Sequence, residues 1–147
     1  MDLAFLRSVG TISDGRGAAA ERYLVSHGIA HHLQRLLGIT EGVERQRERV
    51  PRAEWERLVL REELQAEFLA GSLLAAFDRE MGPVELGGGW EFVVEEVRDE
   101  VARQGDRSYR ERFHVGDLAQ RVRWLARGLL SQDLGAESPF EVPFESL

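Results

Sequence analysis

The stretch SHGIAHHLQRLLG, residues 26–38, holds three of the chain's four histidines: His27, His31 and His32. His27 and His31 stand four apart. On a helix that spacing brings two imidazoles onto one face, one turn apart, where a single metal ion can take both. Two imidazoles do not complete a site, because a structural zinc takes four ligands and a catalytic zinc takes three plus water. Further donors must come from elsewhere in the chain. Glu62 is the best placed in the sequence, since it falls inside an apolar stripe between Leu58 and Leu69. Glu111 and His114 form an E-x-x-H, the spacing of di-iron four-helix proteins. Those proteins need two such motifs, and this chain has one.

The histidine helix also lacks a base. In the H-E-x-x-H motif of zinc proteases the residue after the first histidine is a glutamate. Here residue 28 is glycine, so the motif is absent. At about 100° per residue, the apolar arc of this helix centres on Val25, Ile29, Leu33 and Leu36, which leaves His27 and His31 off the arc and partly exposed. The sequence therefore predicts no stoichiometric metal, with His27, His31, Glu62 and His114 as the alternative donor set. It predicts no cofactor. A thiolate site is excluded because there is no cysteine. No G-x-S-x-G elbow occurs, and the triple glycine 87–89 precedes no phosphate-binding lysine, so the chain reads as a non-enzyme.

Two other segments carry binding chemistry. In DLAQRVRWLARGLL the apolar seam is Leu118, Val122, Leu125 and Leu129, with Trp124 off that seam between Arg121 and Arg127. A Trp among arginines can anchor a protein partner or stack a base. The tail ESPFEVPFESL repeats a Pro-Phe unit among acids. Pro139 and Pro143 stiffen it toward an extended form, which presents Phe140 and Phe144 as two separate plugs. This tail loosely resembles the acidic Pro-Phe tails with which single-stranded-DNA-binding proteins recruit partners, although it does not end in Phe. The stretch GRGAAAERYLVSHG is similar to the opening helix of small restriction-nuclease-like proteins, over about fourteen residues. The acidic strand motif with a nearby lysine that such proteins carry does not follow it.

These groups are positioned by helices. Four main ones can be read. The first runs from Gly17 to about Leu37, capped by Ser13 or Asp14 and stopped by Gly38. The second starts near Pro51 and runs to Met81, before Gly82-Pro83. The third runs from Trp90 to Gln104. The fourth is capped by Asp117 and runs to about Gln132. Shorter helices are predicted at 2–8 and 41–49. Trp90, Val93, Val94, Val97 and Val101 share one face of the third helix; a strand over 90–94 is the competing reading. The second helix carries two stripes, Trp55-Leu58-Val59-Leu69-Leu73-Phe77 and Leu60-Leu64-Phe68. That pattern places it at the centre of a bundle or shares one side with a second chain.

The chain has 147 residues, 43% hydrophobic, enough for one core. All 19 basic residues are arginine, and lysine and asparagine are both missing, which fits a GC-rich codon bias. The net charge of −7 opposes nonspecific nucleic-acid binding over the whole surface. The charge is uneven: Arg103, Arg107, Arg110, Arg112, Arg121, Arg123 and Arg127 face only Asp106, Glu111 and Asp117 between residues 103 and 127. No segment has the roughly 20 apolar residues of a membrane span or the pattern of a secretory signal, which predicts a cytoplasmic protein.

The sequence thus predicts an all-α fold, a compact bundle of four main helices with short flanking helices, over 1–135, and an extended acidic tail over 136–147. It predicts a non-catalytic interaction module or small subunit that binds a protein partner or itself through Arg121, Trp124, Arg127, Phe140 and Phe144. One alternative is nucleic-acid association through the 103–127 arginines. The other is a metal-binding bundle or enzyme built on the histidines.

Overall fold

The computed structural model describes residues 17–84, 89–104, 115–131 and 133–147, and among them the chain is helical with no strand. The helices are α1 (Gly17–Leu36), α2 (Ile39–Gln46), α3 (Arg52–Met81), α4 (Trp90–Gln104) and α5 (Leu118–Leu130), followed by a 3-10 turn at Phe144–Ser146. The expected all-α bundle is what forms. The short helix expected at 2–8 lies outside the described residues.

The helix ends follow local chemistry. Gly38, at φ 74°, takes the left-handed turn that separates α1 from α2, a conformation that costs glycine little. Gly82, at φ 84°, stops α3. Asp117 and Gln120 make a reciprocal cap on α5: Gln120 N donates to Asp117 Oδ1 at 2.7 Å, and Asp117 N donates to Gln120 Oε1 at 3.2 Å.

The 30-residue α3 lies at the centre, packed against α1, α2 and α5. Its two apolar sides serve two cores. One joins Ala19, Ala20, Tyr23 and Leu24 of α1, Ala70 and Leu74 of α3, Val93, Val94 and Val97 of α4, and Leu125 of α5. The other gathers Leu64, Phe68 and Leu69 around Trp124, with Ala30 and Leu147. The helical reading of 90–104 holds, and Val93, Val94 and Val97 face the first core.

Helices α3 and α5 meet at two glycines. A Cβ on Gly71 would lie 2.1 Å from the Leu125 carbonyl oxygen, and one on Gly128 would lie 2.0 Å from the Phe68 carbonyl oxygen. Both obstacles are backbone, so neither helix can yield without separating from the other. We expect Gly128→Ala to cost at least the roughly 1–3 kcal/mol typical of overpacking, read as a lowered midpoint in urea unfolding. An unchanged midpoint would show that the crossing is loose.

Two orientations differ from the sequence reading. Trp124 was expected off the core, yet it is fully buried, with its ring edge-on to Phe68 at 6.4 Å. Arg121 is also fully buried. The seam Leu118-Val122-Leu125-Leu129 does face the first core; residues 121, 124 and 128 form a second inward face, because α5 is pressed onto α3 along its length. In α1 the expected apolar arc is turned outward: Ile29 is 36% and Leu36 70% exposed, while His27, Ala30 and Gln34 are buried. Polar groups occupy that inner face because α3 offers them partners.

The tail lies on its own chain. Val142 and Phe144 pack on the second core and Leu147 is buried within it. Arg61 donates to the carbonyls of Val142, at 2.9 Å, and Pro139. Arg57 covers the Phe144 ring, and Arg123 donates to the Leu147 carbonyl. Phe140 stays exposed, so the two phenylalanines are not equivalent plugs. Among the described residues no helix is long and apolar enough to cross a membrane.

Candidate metal centre

The inward face of α1 carries His27 and His31, four apart. The facing side of α3 carries Glu63 and Glu67, also four apart. Packing the two helices brings the pairs together. His27 Nε2 lies 3.7 Å from Glu63 Oε2, His31 Nε2 lies 3.5 Å from the same oxygen, and the two Nε2 atoms are 3.1 Å apart. The rings meet edge-on, with centroids 4.7 Å apart.

That triangle fits a metal ion. Zinc bonds imidazole nitrogen and carboxylate oxygen at about 2.0–2.2 Å, which in a tetrahedron sets the ligand atoms about 3.3–3.5 Å from each other. The observed edges bracket that value. Glu63 Oε2 is buried and makes no hydrogen bond among the described residues, although a buried carboxylate oxygen normally has one. His27, His31 and Glu63 are also the group whose donor atoms could hold an ion together.

Behind the triangle stands a buried network. Glu67 Oε1 lies 3.6 Å from His27 Nδ1. Tyr23 donates its hydroxyl to Glu67, at 2.8 and 3.0 Å to the two oxygens. Arg121 donates to the same carboxylate from Nε, at 2.7 Å, and from Nη2. Metal-binding histidines commonly present their second nitrogen to a carboxylate in this way. His31 Nδ1 lies 2.9 Å from Gln34 Oε1.

The charges are balanced inside the protein. Burial alone would raise the Glu63 carboxyl, but the close approach and charges of His27 and His31 hold it well below the usual range. Burial opposes the ionised Glu67 too; Arg121 and then His27 overcome it and hold it at about 2. Burial would lower His27, but the Glu67 charge and the closeness of both Glu63 and Glu67 raise it from 6.5. Burial and the Glu67 charge push the Tyr23 phenol up, so it remains a donor. Arg121 is held charged against burial by Glu67.

The candidate residues read from sequence sort as follows. His27 and His31 come together as spaced. Glu62 does not join them: it faces α2 and accepts from the Thr40 hydroxyl at 2.7 Å. Glu63, the next residue, takes the ligand position, since 100° of rotation separates neighbours on a helix. His114 and Glu111 lie outside the described residues, as do Arg107, Arg110, Arg112 and the side chain of Arg103. Arg121 is committed to Glu67, Arg123 to the tail carbonyl, and Arg127 to Glu137 at 3.3 Å and to the face of Trp124 at 4.7 Å. Of these three arginines Arg121 is buried in the core, while Arg123 is exposed and Arg127 partly so. The signal missed in the sequence was the pairing of H-x-x-x-H with E-x-x-x-E on two neighbouring amphipathic helices.

A triangle of two imidazoles and a carboxylate, backed by a carboxylate on one imidazole, has the donor set of a candidate metal centre in a helical protein. Comparison with known sequences gives the class: residues 1–139 match the family described as "Putative neutral zinc metallopeptidase", and the chain belongs to that family. It is 31% identical over 137 residues to the "Uncharacterized protein YpfJ" of Escherichia coli strain K12, and equally to that of Escherichia coli O6:H1. Each alignment covers 90% of this chain and 47% of the relative, so the chain spans about half the length of the curated relatives it matches. No solved structure gives a significant match. This membership overturns the expectation of a non-catalytic interaction module and of a non-enzyme. The expectation that the histidines lack a co-ligand is corrected by Glu63.

Proposed function

We propose that His27, His31 and Glu63 hold one divalent ion, zinc by the chemistry of the donors, and that the chain contributes this centre to peptide-bond hydrolysis. The donor triangle carries the reading. Two nitrogens and one oxygen match a catalytic rather than a structural zinc set, with a fourth position left for water or a substrate carbonyl. Zinc bound there supplies Lewis acidity and lowers the pKa of bound water. The chain's own groups do the positioning: Glu67 aims His27, Tyr23 and Arg121 fix Glu67, and Gln34 aims His31. The peptide-hydrolysis part is supported by family membership, and residue 28 is glycine where zinc proteases with H-E-x-x-H carry their base.

The test is metal content. Stripped protein titrated with zinc should take up about one ion per chain. Glu63→Ala and His27→Ala should each abolish that uptake, whereas Glu62→Gln should leave it intact. A wild-type chain that takes up none, or a Glu63→Ala chain that still takes up one, defeats the assignment.

A pH dependence follows from the same groups. His27 is raised above 6.5 without metal, so the stability it contributes is full below that value and is lost as pH rises through its folded value. Glu67 is lowered from 4.5 to about 2, so its contribution is present above 4.5 and is lost as pH falls toward 2. The metal-free protein should therefore melt highest between these limits. Zinc needs the neutral ring of His27, so the rise in melting temperature that zinc produces should grow with increasing pH. Thermal melts with and without zinc across this range read both trends; a zinc effect largest in acid would contradict them.

A further inference from the structure

The orientation of one buried amide determines which nitrogen of His31 is available to a metal. Gln34 is fully buried on α1, one turn beyond His31. One end of its amide stands 2.7 Å from the backbone carbonyl oxygen of Glu62, a group that only accepts hydrogen bonds. That end must be the nitrogen. The same nitrogen reaches Gln65 Oε1 at 3.1 Å, a second acceptor. The Gln34 oxygen is thereby turned to His31 Nδ1, 2.9 Å away. An amide oxygen also only accepts, so the proton of a neutral His31 sits on Nδ1. The lone pair is left on Nε2, the atom that faces His27 and Glu63.

We infer that Gln34 is a positioning residue that fixes His31 in the Nδ1–H tautomer, and that the Glu62 carbonyl sets the direction of the Gln34 amide. The inference rests on the metal-site reading for its purpose, but the tautomer itself is a property of the metal-free protein. Flipping the Gln34 amide would set its oxygen against the Glu62 carbonyl, losing that bond, and its NH2 against His31 Nδ1, which would then have to accept and leave the proton on Nε2. The order continues outward. Because Gln65 Oε1 is occupied, its nitrogen faces Ser138 Oγ at 3.4 Å, so the docked C-terminal segment supports the same chain of bonds. A glutamine in this role differs from the carboxylate behind His27: it orients the ring without adding charge, so the two imidazoles are held by unequal partners.

The test is nitrogen NMR on metal-free protein labelled at histidine, with zinc affinity measured beside it by chelator competition. In the wild type, His31 should carry its proton on Nδ1. In Gln34→Met the two tautomers should mix and zinc affinity should fall about 10–100-fold, the usual effect of losing an outer partner. A wild-type His31 protonated on Nε2 overturns the inference without any variant, and so does a folded Gln34→Met chain with the tautomer and affinity unchanged. A wild type protonated on Nδ1 that binds no zinc upholds the tautomer assignment and sinks the proposed function instead.

Discussion

On the proposed function, Gly28→Glu is expected to raise peptide hydrolysis about 10²–10⁴-fold, the usual contribution of a positioned general base. Residue 28 follows His27 on α1, the place where the H-E-x-x-H arrangement puts a carboxylate beside the fourth position of the metal. Gly28 is half-buried, so a side chain there has a route toward both solvent and the centre. The substitution favours the backbone as well, since glycine inside a helix is about 1 kcal/mol worse than alanine and glutamate is among the better helix formers. Gly28→Gln is the control. It has the same size and helix preference but takes no proton, so it should bind zinc equally and gain no rate. The measurement is kcat/KM on an unstructured peptide for wild type and both variants at equal zinc content. If Gly28→Glu is no faster than Gly28→Gln, the base comes from another group and residue 28 is not at the reacting side.

Most of the fold was legible because helix ends and apolar periods are local. Gly38, Pro51, Gly82 and Asp117 mark boundaries that the structure keeps to within one residue or two. The inner faces were harder. The sequence rule turns the most apolar arc inward, which for α1 would bury Ile29 and Leu36. The chain buries His27 and Gln34 instead, because Glu63, Glu67 and the Glu62 carbonyl satisfy them. Such matching is a property of two helices at once and leaves no trace in either alone. Trp124 was misplaced for a related reason: α5 touches two cores, so a single seam underestimates how much of it is covered. The candidate metal site was half legible. The i, i+4 histidines were visible, but Glu62 was singled out because it lay in an apolar stripe, a criterion that finds packing positions rather than ligands, and Glu63 went unremarked.

Arg121→Met is expected to lower stability by about 3–5 kcal/mol, because it leaves the buried Glu67 carboxylate without its cation. Tyr23 still donates one bond, and His27 lies 3.6 Å away, but neither replaces the two guanidinium donors. The more informative variant replaces the whole group: Tyr23→Phe, Glu67→Leu and Arg121→Met together. Buried ionic groups exchanged for apolar residues of similar volume often cost nothing overall, and can stabilise by about 1–4 kcal/mol, since no charge is left to desolvate. The triple variant should therefore recover most of the loss in urea unfolding. Zinc affinity should not recover. With Glu67 gone, the carboxylate on the Nδ1 side of His27 is lost, and loss of such a partner weakens metal binding about 10–100-fold. Stability and metal affinity would then part company, which is the signature of a network kept to aim a ligand. A triple variant that unfolds as readily as Arg121→Met alone would show that the network supports the core. One that binds zinc as tightly as wild type would show that His27 is aimed by its packing against the ring at position 23 and against His31.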